Sequence, residues 1–361
     1  MTTDKNSQNK KIDKRFDDKI IQLSHGDGGI KTGELISNLL LGYFGNEILD
    51  KLEDSAVINC SGNKIAYTTD SFVVDPIFFP GGDIGKLSIC GTINDLMTTG
   101  CVPIALSLSF ILEEGFRVSD FKKILSSIKN TVNDNGLRIA TGDTKVVGKG
   151  SADKIFINTS GIGIINNNIN LSPRRIKAGD KILINGGIAE HGIAILGSRK
   201  EFNFKSSIKS DCASLFSLVK DMLSVSKKIH ALRDVTRGGL ASILFEMSGA
   251  SGYGIKIYEN EIPIKKEVLG ICQFLGLDPL YIANEGKMIV FVDNKDTDRV
   301  LNIMKKNEYG KDSRIIGEVT EKYEKSTAGK KSYKGNVVLI TRLGTIRILD
   351  LQYCEQLPRI C

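Results

Sequence analysis

Residues 119–136, SDFKKILSSIKNTVNDNG, place Phe121, Ile124, Leu125, Ile128 and Val132 on one face of a helix. Ser119 is placed to cap its start and Gly136 to close it. Around it lie strand-like runs: AVINC and KIAYTTDSFV, split by the turn Ser61-Gly62-Asn63, then PIALSLSFIL, LRIATGDTKVV and KIFINTSGIGII. DIGKLSICGTINDLMTTG reads as a helix with Gly, Ser and Thr on one side, suited to close packing on a sheet. The first half is therefore expected to be a β-β-α-β-α-β-β unit. It is preceded by a glycine-rich loop feeding an amphipathic helix, SHGDGGIKTGELISNLLLGYFGN.

LSPRRIKAGD, residues 171–180, is turn-rich and marks a boundary. Beyond it come the strand KILINGG, a long helix over DCASLFSLVKDMLSVSKKIHAL ending near His230, and the Gly-Gly helix start of GGLASILFEMSG. Strands and helices then alternate to about Ile348. The expected fold class is α+β, built from two α/β domains. The boundaries are a disordered tail at 1–20, the loop and helix at 21–50, one domain at 51–170, a second at 171–348, and a flexible tail at 349–361.

Composition changes this picture little. The chain has 361 residues, long enough for two cores, and no apolar run approaches a membrane span. The N-terminus is polar and lacks the apolar stretch of a signal peptide. Seven cysteines without a C-x-x-C pair argue against a disulfide framework or a cysteine-built zinc site, and fit a reducing cytoplasm. The net charge of +7 is spread along the chain, with no basic-aromatic patch for nucleic acid.

Neither a P-loop nor a Rossmann fingerprint is present. A nucleotide would instead need carboxylates that hold magnesium, and the phosphates through it. Asp54, Asp70, Asp95, Asp143 and Asp234 lie at predicted strand ends and helix starts, where distant acids can meet at one rim of a sheet. Taken singly, each is an ordinary turn former or cap. Glu53 reads as an exposed acid and Asp83 as an N-cap. Lys145 shares a strand face with Asp143, so it can serve as a cation or proton donor. Glu285, in YIANEGKM, is placed as a base or metal ligand, or as a plain turn acid. Of three histidines, His25 lies in the glycine loop, His191 early in a helix where capping, packing and catalysis are all open, and His230 reads as structural.

The ordered motifs HGDGG, EDSAVI, TTDSFVVDPIFFPGGDIGKLSICGTINDL, TGDTKVV, EHGIAIL, RDVTRGG, NEGKM and a terminal PRIC resemble the HypE family, within the PurM-like ATP-binding superfamily. FFPGGDIGKL and PRIC are the most specific of them. The resemblance runs from about residue 21 to Cys361. It implies PurM-like domains, an N-terminal sheet pairing across a homodimer, and ATP with Mg2+ at the domain and dimer junction. Asp54, Asp70, Asp95, Asp143 and Asp234 would surround the metal and nucleotide, and Asn94 the nucleotide. Lys145 and Glu285 would stand near the reacting group, and Cys361 would be the carrier. Two positions depart from the family's usual pattern, Asp27 in the glycine loop and Glu190 before His191.

The implied activity is ATP-dependent dehydration of a carbamoyl group on Cys361 to a thiocyanate, which supplies cyanide for the iron of NiFe-hydrogenase. The implied partners are the carbamoyltransferase HypF and the HypC-HypD scaffold. Pro358 is expected to keep the tail extended, with one tail position for loading and another for dehydration. Two rivals remain at this stage. One is a PurM-like small-molecule kinase, such as a thiamin-phosphate kinase or a selenide-activating enzyme. The other is a non-enzymatic metal-binding module using Cys354 and Cys361.

Overall fold

The computed structural model describes residues 16, 18–199, 207–322, 336–352, 357 and 359–361. Most of the expected N-terminal tail, together with Cys354 and Pro358, lies outside the described residues.

A helical stretch, α1 (Ile30–Glu34), a π segment (Leu35–Leu40) and α2 (Leu41–Phe44), follows the glycine-rich loop. β1 (Ala56–Cys60) and β2 (Asn63–Phe72) form a hairpin in which Cys60 faces Asn63. The two turn residues, Ser61 and Gly62, both have positive φ, the backbone a tight two-residue hairpin loop requires. After the short strands β3 (Phe78–Phe79) and β4 (Gly82–Asp83) come α3 (Ile84–Thr98), β5 (Val102–Glu113), α4 (Val118–Asp134), β6 (Ile139–Val147) and β7 (Ile155–Ile165). Among the described residues, five strands form one sheet in the order β1-β2-β7-β5-β6. This is the β-β-α-β-α-β-β unit expected from the sequence.

α3 starts where Asp83 Oδ1 accepts from the Gly85 and Lys86 amides, at 2.7 and 3.1 Å. Its small residues serve close packing. A Cβ at Gly161 of β7 would meet Leu96 and Thr92 of α3 at under 3 Å. α3 is therefore buried on nearly all sides, with Asp95 a partly buried exception flanked by the buried Asn94 and Leu96. In α4 the cap residue is Arg117, so Ser119 lies inside the helix, and Leu125 is exposed while Ile124, Ile128 and Val132 are buried.

Among its described residues, the second half builds a seven-stranded sheet in the order β14-β13-β10-β12-β8-β11-β9. Its strands are β8 (Lys181–Ile184), β9 (Ile229–Asp234), β10 (Tyr253–Tyr258), β11 (Met288–Val292), β12 (Arg314–Lys322), β13 (Val337–Ile340) and β14 (Ile346–Leu349). Its helices are α5 (Glu190–Ser198), α6 (Phe216–Val225), α7 (Gly239–Ser251), α8 (Lys266–Leu275) and α9 (Thr297–Lys306). The long helix expected to end at His230 stops at Val225 instead. The Ser226 hydroxyl donates to Asp296 and accepts from the Lys228 amide, turning the chain into β9. His230 is thus a strand residue, with its Nδ1 2.7 Å from Asp180 Oδ2.

One core cluster joins residues of α3 and the first sheet to β11, α5 and α6, and it also includes Leu357 and Ile360. Where the sequence led us to expect a flexible tail, the described end of the chain is packed. Leu357 and Ile360 are buried, and Cys361 is half-buried.

Candidate functional site

The strands that deliver acids do so by simple alternation. On β2, Ala66, Thr68, Asp70 and Phe72 face α3, while Tyr67, Thr69 and Ser71 face away. Asp54 precedes β1, Asp95 projects from α3 and Asp234 ends β9. One carboxylate oxygen from each of Asp54, Asp95 and Asp234 lies within 4.8 Å of the others, which brings both halves of the chain to one point.

The Thr68 hydroxyl lies 2.9 Å from both the Asp54 carbonyl and Asp95 Oδ2, and Ser55 donates to the Asp95 carbonyl. Burial pushes the Asp95 carboxyl well above the usual range, and the charges of Asp234, Asp54 and Asp70 push it further. Burial also holds Asp54 well up, against the Arg233 guanidinium 2.5 Å away, and pushes Asp234 up to about 6. Asp70 is raised by burial too, and its charge reaches Asp95 and Asp234. Close, buried carboxylates that resist ionisation are a donor set whose repulsion a hard divalent cation relieves. The residues fit magnesium.

Glu285 stands near this cluster. It is 3% exposed, its Oε1 has no hydrogen-bond partner among the described residues, and burial with the charges of Asp234, Asp211 and Asp70 raises its carboxyl well above the usual range. Its backbone is fixed by Asp211, whose two carboxylate oxygens accept from the Glu285 and Gly286 amides, each at 3.1 Å. Lys287 pairs with the same carboxylate at 3.1 Å.

The remaining expected residues fall elsewhere. Asn94 is buried with its amide turned to the second half. It donates to the Ala213 carbonyl at 3.0 Å and accepts from the Leu215 amide at 2.8 Å. Asp143 and Lys145 do not join the cluster within this chain. They pair with each other at 2.7 Å, both well exposed, on β6 at the edge of the five-stranded sheet. Asp143 aligns with Ser109 and Lys145 with Ile111, so both project from the face opposite α3. His25 is held inside its loop, Nε2 against Asp18 and Nδ1 accepting from the Gln22 amide, both at 2.9 Å. Glu53 is a partner of Ser172 and Asp83 the cap of α3, so neither belongs to the cluster.

Sequence reasoning missed Arg233, the half-buried counter-cation of Asp54 and Glu246, although it is the residue before Asp234. It also missed Asp211, which carries no motif. The glycine-rich loop reaches this region through Gly28, at positive φ, where a Cβ would lie 3.2 Å from that of Arg237. The charge of Arg237 in turn acts on Asp70 and Glu285.

Cys361 lies at the end of the segment that carries Asp70. The Val73 amide donates to the Cys361 main-chain oxygen at 3.1 Å, and the Asp75 amide to that of Arg359 at 3.3 Å. Arg359 reaches back with Nε to the Val73 carbonyl and with Nη1 to Asp153. His191 Nε2 lies 2.9 Å from the Ile360 carbonyl, and Arg199 donates to the carbonyls of Asp75 and Arg359.

Known proteins share this architecture. Residues 52–165 match the family described as AIR synthase related protein, N-terminal domain, and residues 177–329 match its C-terminal domain. The "Carbamoyl dehydratase HypE" of Escherichia coli (strain K12) is 42% identical over 94% of this chain and 99% of its own length. Among solved structures, "Crystal structure of HypE-HypF complex" superposes with a TM-score of 0.81 at 46% identity, covering 88% of this chain and 99% of that one. "Crystal Structure of Hydrogenase Maturation Protein HypE in complex with ATP" superposes with a TM-score of 0.76 at 42% identity, covering 95% and 100%. Two PurM-like domains, the acid cluster where they meet and identity running the length of the relatives lead to one assignment. The chain belongs to the HypE family of carbamoyl dehydratases.

Proposed function

We infer that Cys361 carries the carbamoyl group in this chain's ATP-dependent dehydration, and that Asp54, Asp95 and Asp234 form the cradle for magnesium and the triphosphate. The observation that carries this reading is the docked tail. Cys361 is tied to Val73, three residues beyond Asp70 on the same extended segment, about 10 Å away at ~3.3 Å per residue. A second, outward tail position would present the thiol to the carbamoyltransferase HypF, and the HypC-HypD scaffold would accept the product.

The reaction converts Cys-S-C(=O)-NH2 to Cys-S-C≡N. The carbonyl oxygen leaves with the γ-phosphoryl group and the nitrogen gives up two protons, so that ADP and inorganic phosphate balance the loss of water. ATP makes a good leaving group of that oxygen. Magnesium, held by the three carboxylates, would neutralise phosphate charge. Glu285 has the properties of the base: it is buried, one oxygen has no hydrogen-bond partner among the described residues, and burial raises its proton affinity well above that of an ordinary carboxylate.

Asp143 and Lys145 enter the site from a second copy of the chain. The sheet face that carries them also exposes Tyr67, Val102, Ile104, Ile111, Ile162 and Ile164. An apolar face of this extent suits pairing in a homodimer. Asp70 completes the acid surround, and Asn94 ties α3 to the second half beside it through Ala213 and Leu215. No described helix is long and apolar enough to cross a membrane.

The test is the mass of the C-terminal peptide after incubation with HypF, carbamoyl phosphate and ATP. We expect a carbamoyl addition followed by ATP-dependent loss of one water, and neither in Cys361→Ala. Product formation by Cys361→Ala would overturn the reading. It would also reopen the free-substrate kinase, which does not need a terminal thiol.

A further inference from the structure

The docked tail and Glu285 are joined by two sets of hydrogen bonds that meet at the consecutive residues Ser210 and Asp211. His191 is fully buried on α5, against the edge of the Phe79 ring. Its Nε2 faces the Ile360 carbonyl at 2.9 Å, and its Nδ1 faces Ser210 Oγ at 2.8 Å. A carbonyl only accepts, so Nε2 carries the proton. Nδ1 must then accept, and Ser210 donates to it while accepting from the Cys212 amide at 3.0 Å. One neutral tautomer satisfies every group. Burial, which lowers the affinity of His191 for a second proton, agrees with it.

Ser210 is itself pinned, its amide donating to the Pro80 carbonyl at 2.7 Å. The next residue, Asp211, holds the amides of Glu285 and Gly286. The fit there is tight: a Cβ at Gly286 would lie 1.9 Å from the Asp211 carbonyl oxygen. The peptide bond before the cysteine and the backbone of the base are thus both fastened to two consecutive residues.

We propose that His191, through Ser210 and Asp211, sets the position of the tail-borne Cys361 relative to Glu285. His191 is a positioning residue: it does not touch the reacting atoms, and it fixes the Ile360–Cys361 peptide. The proposal rests on the assignment of Cys361 as carrier and Glu285 as base. It accounts for a fully buried histidine among the apolar residues of α5, which packing alone does not require.

Four variants of the full chain separate the links. His191→Ala removes both bonds. His191→Asn can reach only Ser210, and His191→Gln can still donate to Ile360. Asp211→Asn disturbs the Glu285 side alone. Two rates are read for each: alkylation of Cys361 by iodoacetamide, followed on the C-terminal peptide, and single-turnover dehydration of a tail already carbamoylated by HypF. We expect His191→Ala and His191→Asn to speed alkylation several-fold and slow dehydration about 100-fold, the cost of misplacing a reacting group by about an ångström. Loading by HypF stays at or above the wild-type rate. His191→Gln restores slow alkylation. Asp211→Asn keeps alkylation slow but still loses dehydration.

Wild-type alkylation and dehydration in His191→Asn, with circular dichroism confirming the fold, would overturn the proposal. So would equal alkylation in the Gln and Asn variants. Wild-type protein that loads but never dehydrates would sink the functional reading instead, and the alkylation rates would then decide the clamp alone.

Discussion

Two groups of acidic residues stand on opposite faces of one five-stranded sheet. On the helix side, Asp54, Asp95 and Asp234 form a largely buried cluster fed by both halves of the chain, with the charge of Asp70 acting on Asp95 and Asp234. On the other side, Asp143 sits on exposed β6 with Lys145 as its partner. The first group is assembled by folding alone and is kept under strain by burial and like charge. The second is solvated, and it lacks the surroundings that would give its lysine catalytic strength. Within one chain, then, three acids from both halves meet, while Asp143 and Lys145 stand exposed on the far face, the pair that the proposed reading brings to the cradle of a second copy.

The largest expected effect tests the buried group. Asp95→Asn removes one donor from the cradle, and we expect dehydration to fall on the order of 1000-fold. The same substitution should raise the melting temperature without magnesium, because it removes a buried like charge. Each kcal/mol gained is worth about 1–2 °C in a protein of this size. Calorimetry with and without magnesium reads both effects. A lower melting temperature in the metal-free protein would mean that the cluster is not under repulsion.

The exposed group is next. Lys145→Ala should leave the melting temperature almost unchanged, since an exposed pair contributes little to stability, while dehydration falls about 100-fold. Mixing Lys145→Ala with Asp95→Asn subunits distinguishes a site shared between copies from one built within a chain. Random pairing makes half the dimers mixed, each with one site free of both substitutions, so about a quarter of wild-type activity returns. No recovery would place Lys145 with the cradle of its own chain.

How legible all this was from sequence follows from the same contrast. The strands and α3 could be read because alternation, the Ser61-Gly62 turn and the Asp83 cap are local signals. The acids could be named by motif, but their grouping depends on strand facing and on packing between the halves. Sequence named Asp143 together with Asp54, Asp95 and Asp234, and within one chain the five-stranded sheet stands between it and them. His230 was misplaced because Ser226 breaks the helix only through a bond to Asp296, seventy residues away. Asp211 and Arg233 stayed hidden for the same reason, since their roles lie wholly in tertiary contacts. The tail read as flexible because its docking partners, Val73, His191 and Arg199, are far off in the chain.

The smallest expected effect sets the two groups against each other by the sign of their pH dependence. Burial raises Asp234 to about 6, and Asp54 and Asp95 well above their usual value of 3.8. Between about pH 4 and 6 the folded state then holds more protons than the unfolded chain, so the cluster's share of stability is lost as pH rises. Lys145 lowers Asp143, so that residue gives the opposite slope: its contribution is present above the usual carboxylate range and lost on acidification. On the proposed reading magnesium binds the first group and leaves the Asp143–Lys145 pair untouched. It should therefore stabilise the protein by on the order of 1–3 kcal/mol more at pH 8 than at pH 5. In Asp95→Asn that difference should shrink, while in Lys145→Ala it should persist unchanged. Magnesium stabilisation that is flat with pH in the wild type would show that the ion does not bind these carboxylates.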